Sequence, residues 1–361
     1  MSVYQHSRRT FGSKSVLPTS AIRNSTQDVV MFGLNRKQLS LIILVVQNST
    51  LVLMMRYSRI VQKPGQPMYI ASTAVFLAEV LKIIACLIVM YHQQGNWERF
   101  SQMVKREILG KPRETLKMLI PSGLYALQNN LLYVALSNLE AATFQVTYQM
   151  KIMSTAVFSV VLLGRSLSRD KWVALLLLMI GVTLVQSQSM SSSSTTKEDF
   201  LAPQNPFIGL IAVITSCISS GFAGCYFEKI LKTSDTSMWV RNIQLGISGA
   251  FFSLVGMVAY DIQPIMDGGL LQGYDWLTWV VVANQALGGL LVAIVVKYAD
   301  NILKGFATSL SIIVSGVISI YLFNFQPSGV FIIGACIVML SSYLYGIDFS
   351  NRLGRRPIKP L

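Results

Sequence analysis

A chain of 361 residues that is 52% hydrophobic and only 13% charged carries roughly half the charge of an ordinary soluble domain, and its mean hydropathy of +0.52 reads as a polytopic helical membrane protein. Its continuous apolar runs match the ~20 residues a helix needs to cross a ~30 Å hydrocarbon core and exclude a β-barrel, whose strands are short and alternating. The net charge of +14 calls for no nucleic-acid partner, because a basic strip facing anionic lipid at one membrane surface accounts for it.

Residues 1–37 are polar, with Arg8, Arg9, Lys14, Arg23, Arg36 and Lys37 and no apolar core. No cleavable signal peptide is therefore expected, and the first span acts as its own insertion signal. Spans are expected at 38–57, 69–91, 114–137, 138–163 and 170–187, and again at 206–230, 238–260, 275–298, 302–323 and 328–347. Between the two sets, "SQSMSSSSTTKEDFLAPQ" (188–205) has the composition of a flexible linker. A basic tail, 348–361, follows the last span. The chain thus divides into two five-span halves, 38–187 and 206–347.

With the N-terminus in the cytosol, 23 of the 30 Lys and Arg fall on the cytosolic side, against Arg59, Lys63 and Lys197 on the other. The positive-inside rule then puts both tails in the cytosol. An odd number of spans per half inserts the second half upside down, the geometry of inverted-repeat transporters whose substrate sites lie near the midplane. Both halves also carry an acidic corner followed by a lysine-bearing helix, at 140–151 and 300–304.

The stretch "QNNLLYVALSNLEAATFQVTYQMKIM" (128–153) is apolar enough for a bilayer yet rich in polar groups. On a helix, Glu140, Phe144, Tyr148, Lys151 and Thr155 recur every three or four residues and share one face, while Val146, Ile152 and Val157 fall opposite. The ninth span repeats the device with Lys304, Thr308, Ser311 and Ser315. In the third span Tyr125 and Asn129 are one turn apart, flanked by Gln128 and Asn130. In the second, Glu79 and Lys82 are one turn apart in "AEVLK".

A charge at the bilayer centre costs about 3 kcal/mol, so each of these groups needs a reason. Structural reasons compete with functional ones. Lys82 has Glu79 as an intrahelical partner, Lys304 sits near enough to a span end to snorkel, the asparagines suit interhelical hydrogen bonds, and the serines suit close packing. Lys151 has no acidic residue one turn away. Taken together the groups describe an aqueous cavity with ammonium groups for phosphate oxygens, amides for hydroxyls and base edges, and Tyr125, Phe144 or Tyr148 to stack on a base. The physical reading is a transporter for a phosphorylated, aromatic-bearing solute, most simply a nucleotide conjugate.

Cys86, Cys217, Cys225 and Cys336 lie in apolar runs without CxxC spacing and read as buried small hydrophobes. His6 and His92 lie outside the spans, so no metal site and no cofactor are expected. Asn24 and Asn48 each head an "NST" triplet, but one is cytosolic and the other lies inside the first span, so both are expected unmodified.

"LQNNLLYVALSNLEAATFQVTYQMK" (127–151), "SGFAGCYFEKILKTSDTSMWVRNIQ" (220–244) and "NQALGGLLVAIVVKYADNILKGFATSLSI" (284–312) resemble the Golgi nucleotide-sugar transporters, in the branch that carries UDP-galactose, UDP-N-acetylglucosamine and CMP-sialic acid. The resemblance covers about residues 38–347. It implies an all-α drug/metabolite-transporter fold of ten spans in two inverted five-helix repeats, a Golgi location with cytosolic termini, and exchange of a cytosolic nucleotide sugar for luminal nucleoside monophosphate, here UMP. Golgi glycosyltransferases, which release that monophosphate, and a second copy of the chain are the protein partners it admits. It further implies that Lys151 and Lys304 hold the phosphates. Tyr125, Asn129, Asn130 and Phe144 would surround the nucleoside, with Ser220, Gly246 and Ser248 from the second half, and Glu79 and Lys82 would meet the sugar. CMP-sialic acid carriers have tyrosine at positions 144 and 246. Phe144 and Gly246 therefore resemble the UDP-sugar carriers, and Phe144 leans towards UDP-galactose. Two readings from other classes remain. A membrane-embedded transferase would need acid–base groups that the histidine-free spans lack, and a non-transporting receptor is separated from a carrier by vesicle uptake.

Overall fold

The computed structural model describes residues 29–30, 34–60, 69–191 and 205–346. Most of the N-terminal tail with Asn24, the side chain of Arg59, Lys63, the greater part of the linker with Lys197, and the basic C-terminal tail lie outside the described residues. A two-residue antiparallel bridge, Val29–Val30 with Leu34–Asn35, precedes the first helix. The rest is helical: α1 (Arg36–Ile60), α2 (Ala71–Gln94), α3 (Trp97–Val104) with a π-helical extension to Leu109, α4 (Pro112–Asn138), α5 (Ala141–Tyr148), α6 (Met150–Leu163), α7 (Arg169–Ser191), α8 (Pro206–Thr233), α9 (Met238–Tyr260), α10 (Ile262–Gly268), α11 (Trp276–Tyr298), α12 (Asn301–Phe323) and α13 (Gly329–Gly346).

Among the described residues nine helices, with α5 and α6 taken as one, are long and apolar enough to cross a membrane. The third expected span, α4, is 27 residues long, but Gln128, Asn129, Asn130 and the charges of its first turns lower its apolar content. The fourth expected span also differs from its reading as one unbroken helix from 138. Leu139 is extended (φ −118°, ψ 144°), so the helix begins at Ala141. At Gln149 it tightens into i→i+3 bonding, Gln149 N–H to Val146 O and Ile152 N–H to Gln149 O. The buried Gln149 amide donates to Gln186 on α7 at 2.8 Å.

Local signals set the other ends. Asn205 accepts from the Phe207 N–H ahead of Pro206 at the first helical position, Asp275 caps Thr278 and Asp300 caps Leu303, each at 2.7 Å. Gly95 and Gly164 (φ 65°) and Asn324 (φ 50°) end helices in the left-handed conformation.

One end of the bundle gathers the start of α1 (Arg36 over the Tyr298 ring), the starts of α4 and α9 (Glu114–Arg241, 2.7 Å) and the ends of α6 and α8 with the start of α12 (Arg165, Glu228, Asp300). We call it the basic end. At the opposite end Thr73 meets Tyr274, Asn130 meets Tyr260 and Asn138 meets Asn205. Exposed aromatics mark both ends, with Trp97 and Tyr343 at the first and Tyr133, Tyr260, Trp276 and Tyr321 at the second. That is the pattern of interfacial belts around an apolar, lipid-facing waist.

The packing repeats itself when the two halves are exchanged. Contact of α4 with α8 is matched by α1 with α11, α6 with α8 by α1 with α12, and α4 with α9 by α2 with α11, while α2–α9 and α7–α13 pair corresponding helices of each half. A constant shift of 160 residues carries Asn138, Glu140, Leu163, Gly164 and Arg169 onto Tyr298, Asp300, Phe323, Asn324 and Gly329. The corner, the capped helix end and the next helix start therefore recur at fixed spacing in both halves.

Helix α8 runs through the centre and needs its glycines to do so. A Cβ on Gly221 would lie 2.8 Å from the Ser154 backbone on α6, and one on Gly224 would collide with the Asn301 amide on α12. Replacing Gly221 with valine forces α6 and α8 apart. Overpacking of this kind costs about 1–3 kcal/mol, so thermal unfolding in detergent should show a clearly lowered midpoint, whereas Gly256→Val, at a position with open space, should not.

Candidate substrate site

Apart from the two asparagines, the expected site residues fall into two groups on different helix sets. The first lies between α5, α6, α8 and α12. Phe144 stacks on Tyr148, with ring centroids 5.6 Å apart and planes 10° from parallel, and the Lys151 ammonium sits 4.0 Å from the Tyr148 ring centroid, within cation–π range. Lys304, on α12, lies within electrostatic reach of Lys151 and of Cys225 and Glu228. Neither lysine forms an ion pair among the described residues. Tyr125, on α4, is half-buried and lies within reach of Cys225. Cys225 is buried and joins α8 to α6 through Ser159 (3.3 Å) and the Thr155 carbonyl (3.4 Å). Ser220 is half-buried beside Gly221 on the same helix.

The stacked rings are held from behind by Ala135, Leu139, Ala212 and Val213. Val146 and Val157 on the other side of α5 and α6 are exposed, as their apolar character implies for a lipid face. The chain therefore points its aromatic–lysine face inward and its valine face outward.

The second group lies between α2, α9 and α11. Lys82 Nζ is 2.5 Å from Glu79 Oε2, with the lysine side chain 6% and the glutamate side chain 24% exposed. The alternative of an intrahelical pair is thus realised. Three glycines make room for it. A Cβ on Gly249 would lie 2.8 Å from Glu79 Oε2, one on Gly289 2.9 Å from Lys82 Cδ, and one on Gly246 2.7 Å from Ile83 and 3.5 Å from Lys82 Cε. Gly246 thus lies where α9 packs tightly on α2, and a tyrosine there has no space in this arrangement. Ser248 is buried and its hydroxyl bonds the Gln244 carbonyl of its own helix.

The asparagines stand apart from both groups. Asn129 and Asn130 are exposed; Asn130 donates to the Ala126 carbonyl and accepts from Tyr260 Oη at 2.8 Å. Their neighbour Gln128 is the buried one, its carbonyl accepting from Ser216 and its side chain facing the Tyr148 hydroxyl. Sequence reading used Gln128 only as a flanking residue. It also took Cys336 as buried, whereas its thiol is exposed on the apolar outer face of α13.

A cleft of about 560 Å³ lies between α4, α6 and α8 and is lined by Ile120, Gly123, Leu124, Leu127, Phe158 and Phe222 together with Ile218 and Ser219. Its lining offers nothing for a phosphate, and none of the candidate residues reaches it. The polar chemistry lies in the two groups above.

A sequence model of the family described as "Nucleotide-sugar transporter" matches residues 33–346. The chain belongs to the nucleotide-sugar transporter family. This transporter is 55% identical over 316 residues to a UDP-N-acetylglucosamine transporter of Mus musculus, covering 87% of this chain and 96% of the relative. It is 54% identical to the Homo sapiens protein of the same description, with the same coverage. It is also 52% identical over 312 residues to a UDP-galactose translocator of Mus musculus, covering 86% and 78%. A solved crystal structure at 13% identity superposes with a TM-score of 0.58 over 89% of this chain and 98% of its own, which shows a shared fold alone. The protein is a membrane transporter and not an enzyme.

Proposed function

We propose that this transporter exchanges UDP-N-acetylglucosamine or UDP-galactose for UMP across the Golgi membrane by alternating access, taking the UDP-sugar from the cytosol. One observation carries the reading. Lys151 from the first half and Lys304 from the second lie within electrostatic reach of each other, and neither has an ion-pair partner among the described residues. Two unneutralised ammonium groups beside stacked aromatic rings suit a diphosphate and the base attached to it. Carriers more than half identical to this chain are named for the two UDP-sugars, and Phe144 and Gly246 agree with a uridine nucleotide over a cytidine one. The exposed edge of Glu79 supplies an acceptor for sugar hydroxyls. Gly246 leaves that region without a side chain of its own.

In this reading the helices count as ten spans with α4 as the third, the halves are 38–187 and 206–347 joined by the luminal linker 188–205, and the basic end faces the cytosol. Exchange follows because the empty cavity holds both lysines without anions, a state that crosses slowly. Uptake of UDP-N-acetylglucosamine, UDP-galactose and CMP-sialic acid should be compared in proteoliposomes preloaded with UMP or left empty. UMP should accelerate uptake of one or both UDP-sugars by about tenfold or more and leave CMP-sialic acid outside. Equal uptake with and without UMP would overturn the antiport. Binding without uptake would turn the protein into a receptor.

A further inference from the structure

The basic end of the bundle holds an ion cluster that the transport reading does not use. Glu228, on α8, is completely buried. Its carboxylate takes Arg165 Nη2 at 2.5 Å, Lys232 Nζ at 2.7 Å and the backbone N–H of Asn301 at 3.0 Å. Arg165 also reaches Asp300 at 3.3 Å, and Asp300 caps the first turn of α12. Lys232 additionally donates to the Ala299 carbonyl at 2.6 Å. Arg165 follows Gly164, the left-handed cap of α6, so it belongs to the first half, whereas Glu228, Lys232 and Asp300 belong to the second.

Arg165 therefore ties the end of the helix that carries Lys151 to the start of the helix that carries Lys304. The counterpart of this cluster under exchange of halves would lie at the opposite end, near Glu140. There Glu140 is exposed and its side chain makes no cap bond. The two ends of the bundle are thus unlike: α6, α8 and α12 are clamped at the basic end by charges drawn from both halves.

We infer that Arg165, Glu228 and Asp300 form the latch that holds the cavity shut on the cytosolic side, with Glu228 as its positioning residue. This rests on the alternating-access reading above. Entry of substrate from the cytosol requires α6 to part from α8 and α12 at this end, which breaks the Arg165 contacts while Lys232 and the Asn301 N–H keep Glu228 satisfied. Opening is therefore reversible without stranding a buried carboxylate. An anion bridging Lys151 and Lys304 draws α6 and α12 together and favours reclosure, so occupancy of the site and the state of the latch are linked.

Cys225 reports the latch directly. It lies one turn inward of Glu228 on α8, is buried, and is covered by Ser159 of α6. With Cys86, Cys217 and Cys336 replaced in the full-length protein, a membrane-impermeant maleimide applied at the cytosolic face should modify Cys225 slowly. Arg165→Gln should raise the rate by about tenfold and Arg165→Lys should bring it back to within about twofold of the parent. Asp300→Asn, which keeps the helix cap, should give an intermediate rise. The KM for cytosolic UDP-sugar should fall in Arg165→Gln while the turnover rate falls too, because the closed state is reached less often. Parent labelling rates in both Arg165→Gln and Asp300→Asn, with unchanged thermal unfolding, would overturn the latch. Labelling needs no transported substrate, so a raised rate with no uptake of any nucleotide sugar keeps the latch and sinks the assigned cargo.

Discussion

Lys151→Met is expected to lower UMP-stimulated uptake of UDP-sugar by about 100-fold while leaving the empty protein as stable as the parent or more so. The two halves of that result come from one arrangement. In the empty carrier Lys151 has the Tyr148 ring for company and Lys304 as a repelling neighbour. Methionine gives up the cation–π contact but keeps the straight stem and a sulfur–aromatic contact over the ring, and it removes the repulsion and the cost of burying a charge, so the losses are offset. With nucleotide bound, the same ammonium makes charge-assisted hydrogen bonds to phosphate, each worth about 1.5–3 kcal/mol, and that contribution vanishes. Thermal unfolding with and without UMP separates the two. The parent midpoint should rise with UMP and that of Lys151→Met should not. A variant that unfolds early but keeps its UMP shift would make Lys151 a structural residue. Lys304→Met should lose uptake similarly. Its Glu228 neighbour keeps Arg165 and Lys232 as partners, so this variant too should fold.

The spans were legible because bilayer crossing imposes length and apolarity on contiguous residues, a constraint visible without contacts. The inward face at Phe144, Tyr148 and Lys151 was legible for the same reason, since helical spacing alone places those side chains together and the structure joins them. What escaped is set by tertiary contact. No proline or glycine marks Gln149, yet the helix tightens there, where the buried amide reaches Gln186 on α7. Glu228 and Arg165 are 63 positions apart, and nothing in the residues around either one marks the other as its partner. Gly246 drew notice for the tyrosine it lacks, but the neighbouring residues that explain it, Ile83 and Lys82, are on another helix. Gly249 and Gly289, which seat the same ion pair, carried no chemical signal at all.

The Glu79–Lys82 pair decides whether the second polar group is a packing device or part of the cargo site, and a double-mutant cycle gives the answer. Glu79→Leu leaves the Lys82 ammonium, 6% exposed, without a counter-charge among glycines, and Lys82→Met strands the carboxylate. Breaking a buried pair from one side costs about 3–5 kcal/mol, so each single variant should unfold at a much lower temperature. Glu79→Leu combined with Lys82→Met removes both charges and should recover most of that loss, with a coupling energy of roughly 2–3 kcal/mol. Uptake supplies the second axis of the test. The Glu79 side chain is 24% exposed although its Oε2 is buried, so Glu79 keeps an open side that the pair does not use and that a sugar hydroxyl can reach. The double variant is therefore expected to be folded and inactive towards UDP-sugar, yet still stabilised by UMP, which has no sugar to present there. If the double variant transports UDP-sugar at the parent rate, the pair serves only to lock α2 against α9 and α11, and the sugar is read elsewhere. If it also loses the UMP shift, the two polar groups act as one site, and the division between phosphate end and sugar end falls.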